Sequence, residues 1–154
     1  MARSITTAYN TAIKAQNVVP FFAVSLAFNT GTLYLWNGYG DISLTAGGST
    51  NTYTGLGDAA GVSPIDEQSL IQASGANLVL NGVKSSLIST ALSAQYTNRD
   101  GKIFLGLFDT SKNVVADVYT LFVGKMDVMI IREGSETSTI ELKLENRLIA
   151  LERP

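Results

Sequence analysis

Between Thr137 and Leu148 the chain alternates with a period of two. Ile140, Leu142 and Leu144 fall on one side, and Thr139, Glu141, Lys143 and Glu145 on the other. Successive side chains of a strand point to opposite faces, so this segment predicts a strand with one face in a core and the other against water or a polar partner. The same signal recurs along the chain with turn residues between the runs. After Pro20, residues Phe22, Val24, Leu26 and Phe28 alternate with smaller ones. Asn29-Thr30-Gly31 then turns the chain, and Thr32 to Trp36 returns as a hairpin partner. Lys102 to Asp109 predicts another strand, with Thr110-Ser111-Lys112-Asn113 as its turn. Val114 to Phe122 returns, and Lys125 to Arg132 forms a separate strand after Gly124.

Residues 37–64 are rich in Gly, Thr, Ser and Asn, yet Tyr39, Ile42, Leu44, Tyr53 and Leu56 persist between the glycines. Short strands joined by tight turns suit this stretch better than one long structureless loop. Ser69 to Asn81 alternates again, with Ile71, Ala73, Leu78 and Leu80 as the buried face and Ser74-Gly75 as a bulge. Two helices are expected. One is an N-terminal arm within residues 1–17, capped by Ser4 or Thr6, with Ile5, Tyr9, Ala12 and Ile13 near one face. The other covers residues 84–95, where Leu87, Ile88, Ala91 and Leu92 make an apolar stripe. About eight short strands with two minor helices define a mainly β chain. We expect a single domain over residues 1–154, an antiparallel β-barrel or sandwich.

Composition then removes whole classes of chemistry. The 154 residues include no cysteine and no histidine. Disulfides, thiolate nucleophiles, Cys/His zinc sites and any Ser-His-Asp or Cys-His triad are impossible from this chain alone. Charged residues make up 16%, against about 25% in ordinary soluble domains. The deficit suggests a surface partly covered by other chains. A net charge of −2, with basic residues scattered singly, gives no electrostatic footprint for nucleic acid. The longest apolar run, Val18 to Phe28, is broken by Pro20 and Ser25 and is too short to span a bilayer, so no membrane insertion is expected.

The candidate motifs mostly have bland explanations. Gly55-Leu56-Gly57-Asp58-Ala59-Ala60-Gly61 has GxGxxxG spacing and no helix after it, so it reads as a turn and not as a phosphate cradle. Asp66 and Glu67 are neighbours on opposite faces of a strand, unsuited to share a scissile bond, and Glu133 and Glu136 flank a turn. Asp41, Asp58, Asp100 and Asp109 sit beside turn residues without a calcium-loop pattern. No metal, cofactor or catalytic set is expected. Trp36, Tyr39 and Tyr53, with Tyr34, suit core packing or subunit contact better than a sugar or peptide platform.

The order of the punctuating residues is more specific than any of these motifs. Trp36-Asn37-Gly38-Tyr39-Gly40-Asp41-Ile42, Tyr53-Thr54-Gly55-Leu56-Gly57 and Val62-Ser63-Pro64-Ile65-Asp66-Glu67 stand in the first half. Leu80-Asn81-Gly82-Val83, Gln95-Tyr96 and Asn98-Arg99 follow. The series ends on Leu121-Phe122-Val123-Gly124-Lys125-Met126-Asp127-Val128-Met129 and on Glu145 to Pro154. Over nearly its whole length the chain resembles a family of tail-tip (baseplate) hub proteins of long-tailed phages and gene-transfer particles. The W-x-G-x-G-D and F-x-G-x-M-D segments are the most distinctive. The resemblance implies a tail-tube-like β fold and a distal tail, baseplate-hub or tube-adaptor protein. It further implies a three- or six-fold homo-oligomeric ring around the DNA channel, with only non-specific DNA passage. Tube, tape-measure and tip or fibre proteins are its implied partners, and the virion tail, assembled in the host cytoplasm, its implied place. Relatives of this kind run on past Arg153-Pro154, so no function of such an extension is expected here.

The leading expectation is therefore a non-enzymatic structural protein. Its subunit interface should include Trp36, Tyr39 and Tyr53 from the glycine-rich region and Thr139, Glu141, Lys143 and Glu145 from the alternating strand, read as a sheet edge open to inter-subunit pairing. The rivals are a carbohydrate- or receptor-binding module using Trp36, Tyr39 and Tyr53, and a glycosidase of the carboxylate-pair type.

Overall fold

A computed structural model describes residues 5–15, 17–57, 60–62, 75–83, 95–109, 111–114, 118–133 and 138–146. Among them the chain forms helix α1 (Thr7–Ile13) and nine strands: β1 (Val19–Phe28), β2 (Gly31–Trp36), β3 (Asp41–Ala46), β4 (Ser49–Gly55), β5 (Ala60–Val62), β6 (Gly75–Val83), β7 (Asp100–Phe108), β8 (Tyr119–Glu133) and β9 (Ser138–Asn146). They make one mixed sheet in the order β3-β4-β2-β1-β7-β8-β9-β6-β5. The mainly β expectation holds, in its sandwich form: the sheet bends over on itself without closing into a barrel. One pair departs from the antiparallel pattern. β2 and β4 run parallel, with Leu35 opposite Thr54 and Trp36 opposite Gly55.

Burial explains the bend. Val24, Leu26 and Leu35 of β1–β2, with Ile103 of β7, share one core with Leu78 and Leu80 of β6 and Ile140, Leu142 and Leu144 of β9. Strands far apart in the sheet order thus meet face to face, as in a sandwich. A second core lies on the reverse face of β1, where Phe21, Ala23, Trp36 and Phe104 meet Leu44 of β3 and Tyr53 of β4. β1 is therefore buried on both sides, which accounts for its nearly continuous apolar sequence.

The β1–β2 hairpin closes with Phe28 opposite Gly31, as its turn chemistry predicts. β9 follows the alternation too: Ile140, Leu142 and Leu144 are buried and Lys143 is exposed. Other expectations need correction. β9 is not an edge. It pairs with β8 on one side and β6 on the other, and β3 and β5 end the sheet. Nor does Gly124 separate two strands, because β8 runs unbroken through it with a register shift between Met126 and Met129. A Cβ at Gly124 would collide with the Glu145 carbonyl and the Phe122 ring, so this glycine permits close strand packing and makes no turn.

Helix α1 starts where expected. Thr6 is its N-cap, and its Oγ1 accepts the Tyr9 N–H at 3.3 Å. The helix buries Tyr9 alone, whose hydroxyl donates to the Leu105 carbonyl at 3.3 Å and whose ring centre lies 6.0 Å from that of Tyr119. Ile5 and Ile13, expected on the buried face, are exposed. The helix expected over residues 84–95 lies outside the described residues except for Gln95, which is non-helical and hydrogen-bonds Asn29. Asp58, Asp66, Glu67, Ile71, Ala73, Ser74 and Glu136 also lie outside them.

Candidate interaction faces of the sheet

The W-x-G-x-G-D segment forms a locked corner between β2 and β3. Asn37 fixes its start: its Oδ1 accepts the Phe22 N–H at 2.6 Å, and its own N–H donates to the Phe22 carbonyl at 3.0 Å. The Trp36 indole donates to the Gly40 carbonyl at 2.9 Å. The end of β4 then crosses the corner. Gly55, Leu56 and Gly57 donate their N–H groups to the carbonyls of Gly40, Trp36 and Gly38 at 2.8, 2.9 and 2.8 Å. A Cβ at Gly55 would strike the Gly38 carbonyl, and one at Gly38 would enter the Trp36 ring. Gly40 and Gly57 both adopt φ of +74°, a conformation that favours glycine. The glycine spacing here thus serves a crossing of two chain segments, and among the described residues strand β5 and not a helix comes next, so no helix N-terminus there presents N–H groups to a phosphate.

This corner separates the three aromatic candidates. Trp36 and Tyr53 are core residues, 8% and 1% exposed, whereas Tyr39 is 76% exposed. The Tyr53 ring packs on Tyr34 at 5.1 Å, and burial, then Tyr34, pushes its hydroxyl up to about 12. A flat platform of three rings open to a sugar or a neighbouring subunit is therefore not formed. Tyr39 alone is presented, with its ring beside Gly57.

Thr139, Glu141, Lys143 and Glu145 do share a surface, the outer face of β8-β9-β6. Arg132 makes a two-point pair with Glu141, Nε to Oε1 at 3.1 Å and Nη2 to Oε2 at 3.5 Å. The Lys143 ammonium lies between Asp127 and Glu145, at 3.6 and 3.4 Å. Thr139 donates to Asn81 Oδ1 at 2.9 Å. Glu141 and Lys143 line a groove of about 580 Å³, with Val79, Val128 and Ile130 among its apolar lining. Val128 and Ile130 are 48% and 46% exposed. Neither was singled out from the sequence. Their signal was the placement of apolar residues on alternate positions 128 and 130, opposite in phase to the buried Met126 once the register shifts.

Asp109, Asp100 and Asp127 have structural partners. Asp109 Oδ1 accepts the N–H groups of Ser111 and Asn113, both at 2.8 Å, making it the organiser of its turn. Asp100 pairs with Lys125 at 2.9 Å. In F-x-G-x-M-D, Gly124 allows close packing, Met126 is buried and Asp127 meets Lys143. Among the described residues, no helix is long and apolar enough to cross a membrane.

No protein-family model and no curated protein matches the chain. Its fold is similar to that of a chain in a solved structure described as the virion of a native gene transfer agent particle. The TM-score is 0.64 at 16% sequence identity, and the likeness covers 97% of this chain and 47% of that one. The chain thus spans about half the length of the virion chain whose fold it shares.

Proposed function

We propose that this chain is a structural, non-enzymatic component of a phage-like virion, working in the tail as a distal, baseplate-hub or tube-adaptor ring. The observation that carries the reading is the shared fold with a gene-transfer-agent virion chain over nearly the whole length of this one. The low charge and the exposed apolar side chains Val128, Ile130, Ile5 and Ile13 suit a surface that other subunits cover. A symmetric ring of three or six copies around the DNA channel is the simplest assembly that uses such surfaces repeatedly. Its net charge of −2 and lack of basic clusters suit DNA that must pass without binding. Tube, tape-measure and tip or fibre proteins are the neighbours this position provides. The test is quantitative mass spectrometry of particles purified from the cells that carry the gene. A fixed small multiple of three copies per particle is expected. Absence from the particles overturns the reading.

A further inference from the structure

The sequence holds two Asn-Gly pairs, Asn37-Gly38 and Asn81-Gly82. Both carry the same latent chemistry. The backbone nitrogen after an asparagine can attack the side-chain Cγ, closing a five-membered succinimide and releasing ammonia. Water then opens the ring at either carbonyl and leaves aspartate or isoaspartate. A following glycine puts no Cβ in the path of the attack. What remains is whether the carboxamide is free to turn toward that nitrogen, and the fold treats the two pairs differently.

Asn37 is held. Its Oδ1 accepts the Phe22 N–H at 2.6 Å in a part-buried bond, and its own N–H donates to the Phe22 carbonyl at 3.0 Å. The Gly38 carbonyl accepts from the Gly57 N–H, and the Trp36 ring fills the space beside the Gly38 Cα. Asn81 is exposed. The β6–β9 ladder steps from Leu80–Ile140 to Val83–Ser138, so Asn81 and Gly82 together oppose Thr139, two residues against one as in a β-bulge. On the other side, the pairing of β6 with β5 runs from Leu78 to Leu80 and stops short of Asn81. The bond from the Thr139 hydroxyl to Asn81 Oδ1, 2.9 Å long, is exposed, so water replaces it at little cost.

We propose that Asn81-Gly82 is a self-modification site. The Gly82 nitrogen closes on Asn81 Cγ, ammonia leaves, and water completes the change from amide to carboxylate. Asn37 in the same chain remains an amide. Turning its carboxamide leaves the part-buried Phe22 N–H unpaired, which slows that site at least about tenfold relative to Asn81. The product adds one negative charge to a chain of net charge −2. The new carboxylate lies beside Thr139, whose hydroxyl goes on donating to it.

The full-length chain tests this when incubated folded, at mildly alkaline pH, in water enriched in heavy oxygen. Peptide mapping by mass spectrometry, with electron-transfer fragmentation to tell isoaspartate from aspartate, reads both sites in one sample. Residue 81 is expected to convert at least about tenfold faster than residue 37, to a mixture that contains isoaspartate and carries the heavy oxygen. In the urea-unfolded chain the two sites should convert at similar rates, because only the fold distinguishes them. Asn81→Gln, which cannot close a five-membered ring, should abolish the acidic band in isoelectric focusing and leave the circular dichroism that of the folded protein. Folded-state conversion of Asn81 no faster than that of Asn37 would overturn the proposal. Aspartate without isoaspartate would overturn the succinimide route. The same preference persisting in urea would place its cause in the neighbouring sequence and overturn the role given to the bulge.

Discussion

Replacing neighbouring residues of β9 should have sharply unequal effects. Leu142 is 1% exposed and stands in register between Met129 of β8 and Leu78 of β6. Leu142→Ala removes three buried carbons, about 2.4 kcal/mol at roughly 0.8 kcal/mol each. The unfilled space raises the expected loss to about 3 kcal/mol. Lys143, one residue on, has a side chain 52% exposed, with ion pairs at 3.4 and 3.6 Å. Exposed pairs of this kind contribute about 0–1 kcal/mol, so Lys143→Ala should cost less than about 1 kcal/mol. For a chain of this size, each kcal/mol moves the melting temperature by about 2–4 °C. The expected losses are therefore about 6–12 °C for Leu142→Ala and under about 4 °C for Lys143→Ala. Urea unfolding, followed by circular dichroism and by fluorescence of the single tryptophan, measures both. Trp36 belongs to the second core and Leu142 to the first. Coincident transitions by the two probes therefore report that both cores unfold as one unit. Equal losses for the two variants would refute the register, since a slip of one residue exchanges the faces of the strand. Separated transitions would refute the single cooperative sandwich.

Further predictions follow from the corner and the buried tyrosines. Gly55→Ala drives a methyl into the Gly38 carbonyl and should cost about 2–3 kcal/mol in urea unfolding, as overpacking against rigid backbone does. Gly31→Ala has open space around it but a φ of +146°, so it should cost only about 1 kcal/mol, and the reverse ranking would contradict the crossing at the corner. Asn37→Ala leaves the Phe22 N–H without its acceptor. It should destabilise the protein by about 1–2 kcal/mol and speed hydrogen exchange at Phe22, and an unchanged exchange rate would contradict the bond. Tyr53 ionises near 10.0 when unfolded and about 12 when folded, through burial and then Tyr34. Its contribution is fully present below pH 10 and is lost as the pH rises toward 12. Tyr9, raised by burial and then Tyr119, acts in the same direction. The urea midpoint should fall across that window and fall less in Tyr53→Phe. A midpoint flat through the window would contradict the burial of these hydroxyls.

The elements that were legible in the sequence are those whose burial repeats locally. In β9, three buried aliphatics alternate with polar residues, and in β1–β2 a turn signal joins two apolar runs. Period and turn chemistry suffice there. Neighbours in the sheet were not legible. Glu141 and Lys143 look the same on an edge strand as on a central strand with one open face, so the alternation located the face of β9 and not its two partners. Gly124 offered the same ambiguity, because a glycine that admits a neighbouring strand is spelled like one that turns the chain. From the sequence, Trp36 and Tyr53 suit core packing and subunit contact alike, and the parallel β2–β4 contact places them in the second core. That contact joins Leu35 to Thr54 across many intervening residues, and no local pattern announces it. For the interaction faces, the sequence supplied Thr139, Glu141, Lys143 and Glu145 but not the apolar pair between them. The ion pairs that neutralise those charges depend on strand neighbours that periodicity cannot name.

Electron microscopy of purified particles, with an antibody against this chain, tests the central claim most directly. The account predicts label confined to the tail, and averaged images in which copies of this sandwich close a cyclic ring around the DNA path. Label on the capsid, or particles that carry none of the protein, would contradict it.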